Sequence, residues 1–138
     1  MLIGIYYYNA PLDRGYNVET YRKQQIFFSE LRKIPDFKVV LCNMRKIRQS
    51  DGKFEYAVKG DDIHLAVDTL SGAYENLYDT AIIVSGDGDF LPLIKKVQKL
   101  GKNVENAYFS VSRSDSLKTT CNSSINLDHV IEKCLKKK

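Results

Sequence analysis

Residues 85 to 90 read Ser-Gly-Asp-Gly-Asp-Phe and follow directly on the β-branched run Thr80 to Val84. Asp87 and Asp89 stand two apart among glycines, so the backbone can fold tightly and bring both carboxylates to one place. A turn made to cradle a phosphate would carry glycines and a lysine. This one carries two carboxylates, the ligands of a hard divalent cation such as Mg2+ or Mn2+. A cation held there could bridge the carboxylates to a phosphate, which is the chemistry of metal-assisted phosphodiester hydrolysis. The structural alternative is simple. Asp89 would cap a helix beginning at Phe90, and Asp87 would hold the turn.

A third acidic group shifts the balance toward a metal. Asp62 stands in the opening turn of a helical pattern that begins after Lys59-Gly60-Asp61. It could serve only to complement the helix dipole, but Asp61 beside it would do so equally well. Further along the pattern, Asp68 falls on an apolar face, where a carboxylate must be paired to be tolerated; it is expected to support the site. Lys59 stands at the site entrance and could offset the carboxylates, and Ser85 bonds or caps the turn. The expected catalytic and metal-holding set is therefore Asp62, Asp87 and Asp89, with Asp68, Lys59 and Ser85 in support.

Other residues admit two readings. Arg45, Lys46, Arg48 and Lys53 fall on a hairpin arm around Asp51-Gly52, and they either meet RNA phosphates or form a solvated basic surface. Ser110, Ser112, Ser114 and Ser116 contact phosphates or cap the next helix. Tyr6, Tyr7 and Tyr8 read as sheet core before base-stacking rings. His64 and His129 are isolated, which excludes a catalytic histidine pair. Cys42, Cys121 and Cys134 show no zinc spacing and read as reduced thiols of a cytoplasmic protein.

The elements that must position these residues alternate. A short aromatic strand at Leu2 to Tyr8 precedes an amphipathic helix from Glu19 to Ile34, with Ile26, Phe27, Leu31 and Ile34 inward. Strand Phe37 to Cys42 leads into the hairpin and its second limb, Phe54 to Val58. A helix then runs from Asp61 to about Asn76 with Ile63, Ala66, Val67 and Leu70 inward. Thr80 to Val84 has the pattern of a strand buried on both faces. A helix from Phe90 to Leu100, a strand from Asn103 to Phe109, a helix within Ser112 to Ser123, a strand at Ile125 to Leu127 and a last helix from Asp128 to Lys136 complete the chain. Alternation of this kind means an α/β fold with a mainly parallel sheet, and open sheets of that class place their sites at the strand carboxyl ends. The 138 residues suit one domain. The net charge of +4 permits a polyanionic partner without requiring one, since Lys133, Lys136, Lys137 and Lys138 form a basic tail. No run reaches membrane-span length, and the N-terminus lacks the pattern of a secretory signal.

Lys59-Gly60-x-Asp62, Leu65-Ala66-x-Asp68 and Ser85-Gly86-Asp87-Gly88-Asp89-Phe90-x-Pro92-Leu93 together resemble the NYN domain of LabA-like proteins, within the PIN-like nuclease superfamily. The resemblance extends to Tyr6-Tyr7-Tyr8-x-Ala10, Gln25-x-Phe27-x-x-x-Leu31 and Leu100-Gly101-Lys102-x-Val104, so it covers nearly the whole chain. It implies a three-layer α/β/α fold and a Mg2+- or Mn2+-dependent ribonuclease site at Asp62, Asp87 and Asp89. One departure stands out. The family's usual first strand, ending in an Asp-Gly-x-Asn type of motif, has no counterpart upstream of Tyr6. Truncation, a strand supplied by another chain such as a second copy, or a reduced and weakly active form would each account for this. Asn9 stands where relatives often carry Asp, and Asp13 is nearby in a loop, so the resemblance makes either a candidate to lean into the site. The expected function is a metal-dependent endoribonuclease. The alternatives are an RNA-binding or regulatory module, weakly active or inactive, that self-associates through an open sheet edge, and a small phosphate-ester hydrolase.

Overall fold

A computed structural model describes residues 1–15 and 17–135; Lys136, Lys137 and Lys138 of the basic tail lie outside the described residues. The chain divides into two units, Met1–Leu65 and Ala66–Lys138.

In the N-terminal unit, the aromatic run forms strand β1 (Ile5–Asn9) and ends at Pro11. Helix α1 (Val18–Arg32) starts where the Asn17 side chain accepts the Thr20 amide at 3.0 Å, an N-cap that satisfies one of the helix's orphan donors. Strand β2 (Phe37–Leu41) returns parallel to β1, with Ile5 opposite Phe37 and Asn9 opposite Leu41. Phe28 is the fully buried residue of α1, and its ring lies 6.5 Å from that of Tyr7. This corrects the expected inner face: Ile26, Phe27 and Ile34 are exposed. Helical spacing shows which residues share a stripe, and only the packed strands decide which flank of the stripe is covered. Strands β3 (Asn43–Arg48) and β4 (Phe54–Lys59) form the expected antiparallel hairpin. Gly52, at φ 82°, supplies the left-handed residue of its turn, and the Asp51 carboxylate accepts the Lys53 amide at 2.9 Å.

Helix α2 (Asp61–Tyr74) carries Asp61 and Asp62 in its first turn. Its buried residues are Gly72 and Ala73, whereas Ile63 and Val67 are exposed, so the expected apolar face is only partly covered. Asp68 is likewise exposed. The requirement that burial force a pairing upon it therefore falls away.

The C-terminal unit is a three-stranded parallel sheet in the order β5 (Thr80–Val84), β6 (Asn103–Tyr108), β7 (Ser123–Asn126). Helix α3 (Leu91–Lys99) links β5 to β6, and α4 (Asp115–Thr120) links β6 to β7. Helix α5 (Asp128–Leu135) follows β7. The core of the unit joins Ile83 of β5, Ile94 and Val97 of α3, Val104 and Ala107 of β6 and Leu117 of α4. Burial of β5 on both faces is not observed. Ile83 is 4% exposed, but Ile82 and Val84 on the opposite face are 53% and 61% exposed. A β-branched run reports strand propensity, and covering the second face requires a further layer. Among the described residues, β5 pairs with β6 alone and its other edge has no strand partner. Parallel strands, one hairpin and five α-helices among the described residues make up the expected α/β class.

Candidate metal centre

Strand β5 ends at Val84 and the acidic turn begins at once, at the carboxyl end of the strand. The Ser85 hydroxyl accepts the Asp87 amide at 3.0 Å. The Asp87 Oδ1 in turn accepts the Asp89 amide at 2.9 Å and caps a short 3-10 turn, Gly88–Phe90. Phe90 is buried and anchors the turn to the core, and Pro92 opens α3 beyond it. Capping thus falls to Asp87 rather than Asp89. One oxygen of Asp87 is committed to the backbone. Among the described residues neither Asp87 nor Asp89 forms an ion pair.

The segment that follows β6 closes on the turn. Gly86 lies flush against the backbone of residue 112, so a Cβ there would overlap the Ser112 carbonyl oxygen. A Cβ on Gly88 would instead meet the hydroxyls of Ser114 and Ser116 at 3.5 and 3.6 Å, ordinary contact. The serine segment therefore runs alongside the acidic turn. Capping is visible in it: Ser114 Oγ accepts the Leu117 amide at 3.4 Å and pairs with Ser116 Oγ at 2.9 Å.

Beneath the turn is a residue that sequence reasoning missed. Asn106 of β6 is fully buried, and its Nδ2 donates to the carbonyls of Ile83 at 3.2 Å and Ser85 at 2.9 Å. Its Oδ1 is buried with no hydrogen-bond partner. A buried amide with one unsatisfied oxygen is costly, so its presence beneath this turn marks a constrained position. The available signal was an amide on the same face of β6 as Val104 and Tyr108.

The remaining candidates fall elsewhere in the chain. Asp62 is exposed in the first turn of α2, in the N-terminal unit, and Lys59 is the last residue of β4. Arg45, Lys46 and Arg48 are exposed on β3, and Lys53 is exposed in the hairpin turn. Asn9 and Asp13 serve their own backbone: Asn9 Oδ1 accepts the Ala10 amide and Asp13 Oδ1 the Gly15 amide, each at 2.8 Å. The structure brings together Asp87, Asp89 and Ser85. Among the described residues it gathers no group of three His, Cys, Asp or Glu side chains able to hold a metal ion. The donor chemistry of the turn nonetheless fits a hard cation, because among the described residues its carboxylates form no ion pair.

The chain belongs to the NYN domain family, whose pattern matches residues 2–128. The family is of the NYN/PIN-like nuclease kind, whose members generally use divalent metals. A similar solved structure is that of VPA0982, a protein of unknown function from Vibrio parahaemolyticus RIMD 2210633. It is 26% identical, the match covers 91% of this chain and 69% of that one, and the TM-score is 0.68. None of the curated proteins matches the chain. No described helix is long and apolar enough to cross a membrane.

Proposed function

We propose that this NYN domain is a metal-dependent endoribonuclease that hydrolyses RNA phosphodiester bonds. The reading is carried by the paired carboxylates of Asp87 and Asp89 at the carboxyl end of β5, in a chain whose family is that of PIN-like nucleases. Asp87 and Asp89 would hold Mg2+ or Mn2+, and Asp62 is the further carboxylate assigned to metal binding. Such an ion supplies a bound water of lowered pKa and offsets the charge of the phosphate. Ser85 keeps the turn closed through the Asp87 amide. Lys59 and Asp68 support the charge balance, and Arg45, Lys46, Arg48, Lys53 and Ser112 contact RNA phosphates.

The test is cleavage of single-stranded and structured RNA in Mn2+ and in Mg2+ by the parent protein and by Asp87→Asn. The parent should cleave, and chelation should abolish cleavage. The variant should lose more than the roughly 10- to 100-fold that changes outside the ligand shell cost. Metal should also raise the melting temperature of the parent, since a ligand that binds only the folded state stabilises it. Cleavage at equal rates by both proteins would remove the site assignment.

A second reading has its own support. The open edge of β5, together with exposed Ile82 and Val84, is a pairing surface of the kind that drives association. An RNA-binding module that self-associates there, with weak or no hydrolysis, is what binding without cleavage in the same assay would indicate.

A further inference from the structure

The β3–β4 hairpin carries an arrangement that hydrolysis at the acidic turn does not use. Its register sets Arg48 opposite Phe54, Lys46 opposite Tyr56 and Met44 opposite Val58. Directly opposed side chains of an antiparallel pair share a face. One face therefore presents two cations interleaved with two aromatic rings. The other face pairs Arg45 with Ala57 and Ile47 with Glu55. Lys46 Nζ lies 4.1 Å from the centroid of the Phe54 ring and 5.9 Å from that of Tyr56, so these rings turn toward a cation. Phe54 is 51% exposed. The arm's acidic residues are occupied locally, Asp51 with the Lys53 amide and Glu55 with the Gln49 side chain. A polyanion approaching the arm meets an excess of positive charge.

A cation–π contact alone would explain Lys46 over one ring, at a gain of about 0.5–1 kcal/mol for an exposed pair. It does not explain a second ring and a second cation in the same row. We infer that this face is a stacking platform for single-stranded RNA. Phe54 and Tyr56 take the faces of successive bases, and Lys46 and Arg48 meet the flanking phosphates. Spacing selects the single strand. Residues two apart on a strand are about 7 Å apart, roughly twice the 3.4 Å rise of a stacked nucleic-acid strand. The face thus suits bases splayed from a single strand, whereas a duplex keeps its bases closed in the stack. The choice of RNA rests on the function proposed above; the platform itself rests on the hairpin.

The chain contains no tryptophan, so Phe54→Trp introduces a single tryptophan that can be excited selectively above the tyrosine absorption. Binding is measured in chelator, on an Asp87→Asn background, with fluorescein-labelled oligoadenylate and a labelled RNA duplex. Phe54→Ala and Phe54→Leu should each weaken oligoadenylate binding by about tenfold or more, the loss expected when one stacked base is given up. Phe54→Trp should retain binding, and a separate titration with unlabelled oligoadenylate should quench its emission. The duplex should bind more weakly than the single strand. Unchanged affinity in both truncations, unchanged tryptophan emission at saturation, or equal affinity for the duplex would each overturn the platform. The fluorescence titration decides the matter if a truncated variant fails to fold. Binding that survives while the parent never cleaves RNA would sink the nuclease and leave the platform; cleavage that survives with Phe54 irrelevant to binding would do the reverse.

Discussion

At the scale of single residues, the acidic turn depends on two glycines that a sequence reader would treat alike. Gly86 is pressed against the Ser112 backbone, whereas Gly88 faces only hydroxyls at contact distance. Gly86→Ala must therefore displace main chain, and a loss of at least about 1–3 kcal/mol is expected for such overpacking. Gly88→Ala should melt close to the parent. Denaturant unfolding of the two variants checks this, and equal stability would mean that the turn does not close on residue 112. The buried Asn106 amide belongs to the same account. It ties the end of β5 to β6, so the carboxylates project from a frame held by two carbonyl contacts rather than from a loose loop.

At the scale of elements, the link between α2 and β5 has a testable dependence on pH. The Tyr78 hydroxyl donates to the Thr69 carbonyl at 2.5 Å, and a Cβ on Gly72 would come within 2.8 Å of the Tyr78 ring. Burial raises the Tyr78 pKa above its usual value of 10.0. A raised folded-state pKa favours the protonated form in the native state. The associated stability is complete below the unfolded pKa, near pH 10, and is lost as pH rises through the folded value. Parent stability should therefore fall on the alkaline side of pH 10, and Tyr78→Phe should flatten that fall while costing about 1 kcal/mol near neutrality from the lost hydrogen bond. Denaturant midpoints between neutral and alkaline pH measure both; an identical slope in the variant would assign the effect to other groups. The other elements were legible to different degrees. Strand, hairpin and helix identities followed from turn chemistry and apolar runs, as at Asp51-Gly52 and in α3, whose Ile94 and Val97 enter the core. Helix faces were less legible, since Phe28 rather than Ile26 or Phe27 enters the core.

At the scale of the whole molecule, the exposed side of β5 is the main liability. Ile82 and Val84 present an apolar face beside an unpaired strand edge, and natural sheets blunt such edges with charge, particularly lysine. The parent should associate as its concentration rises. Ile82→Lys with Val84→Lys should shift it toward the monomer in sedimentation velocity without lowering stability by more than about 0.5 kcal/mol per substitution, as for exposed sites generally. Unchanged association in the double variant would move the contact away from β5.

The sequence by itself determined the α/β class, the hairpin and the family, because β-branched runs, Asp-Gly turns and ordered motifs are local signals that survive without a partner element. It also placed Asp87, Asp89 and Ser85 in one turn, by their spacing alone. Only the tertiary structure decided that Asp87 rather than Asp89 does the capping, that Gly86 has no room for a side chain, that Asn106 lies beneath the turn, and that one face of β5 is uncovered. Each of these turns on which atoms from distant parts of the chain come into contact, and no local pattern of residue types carries that information.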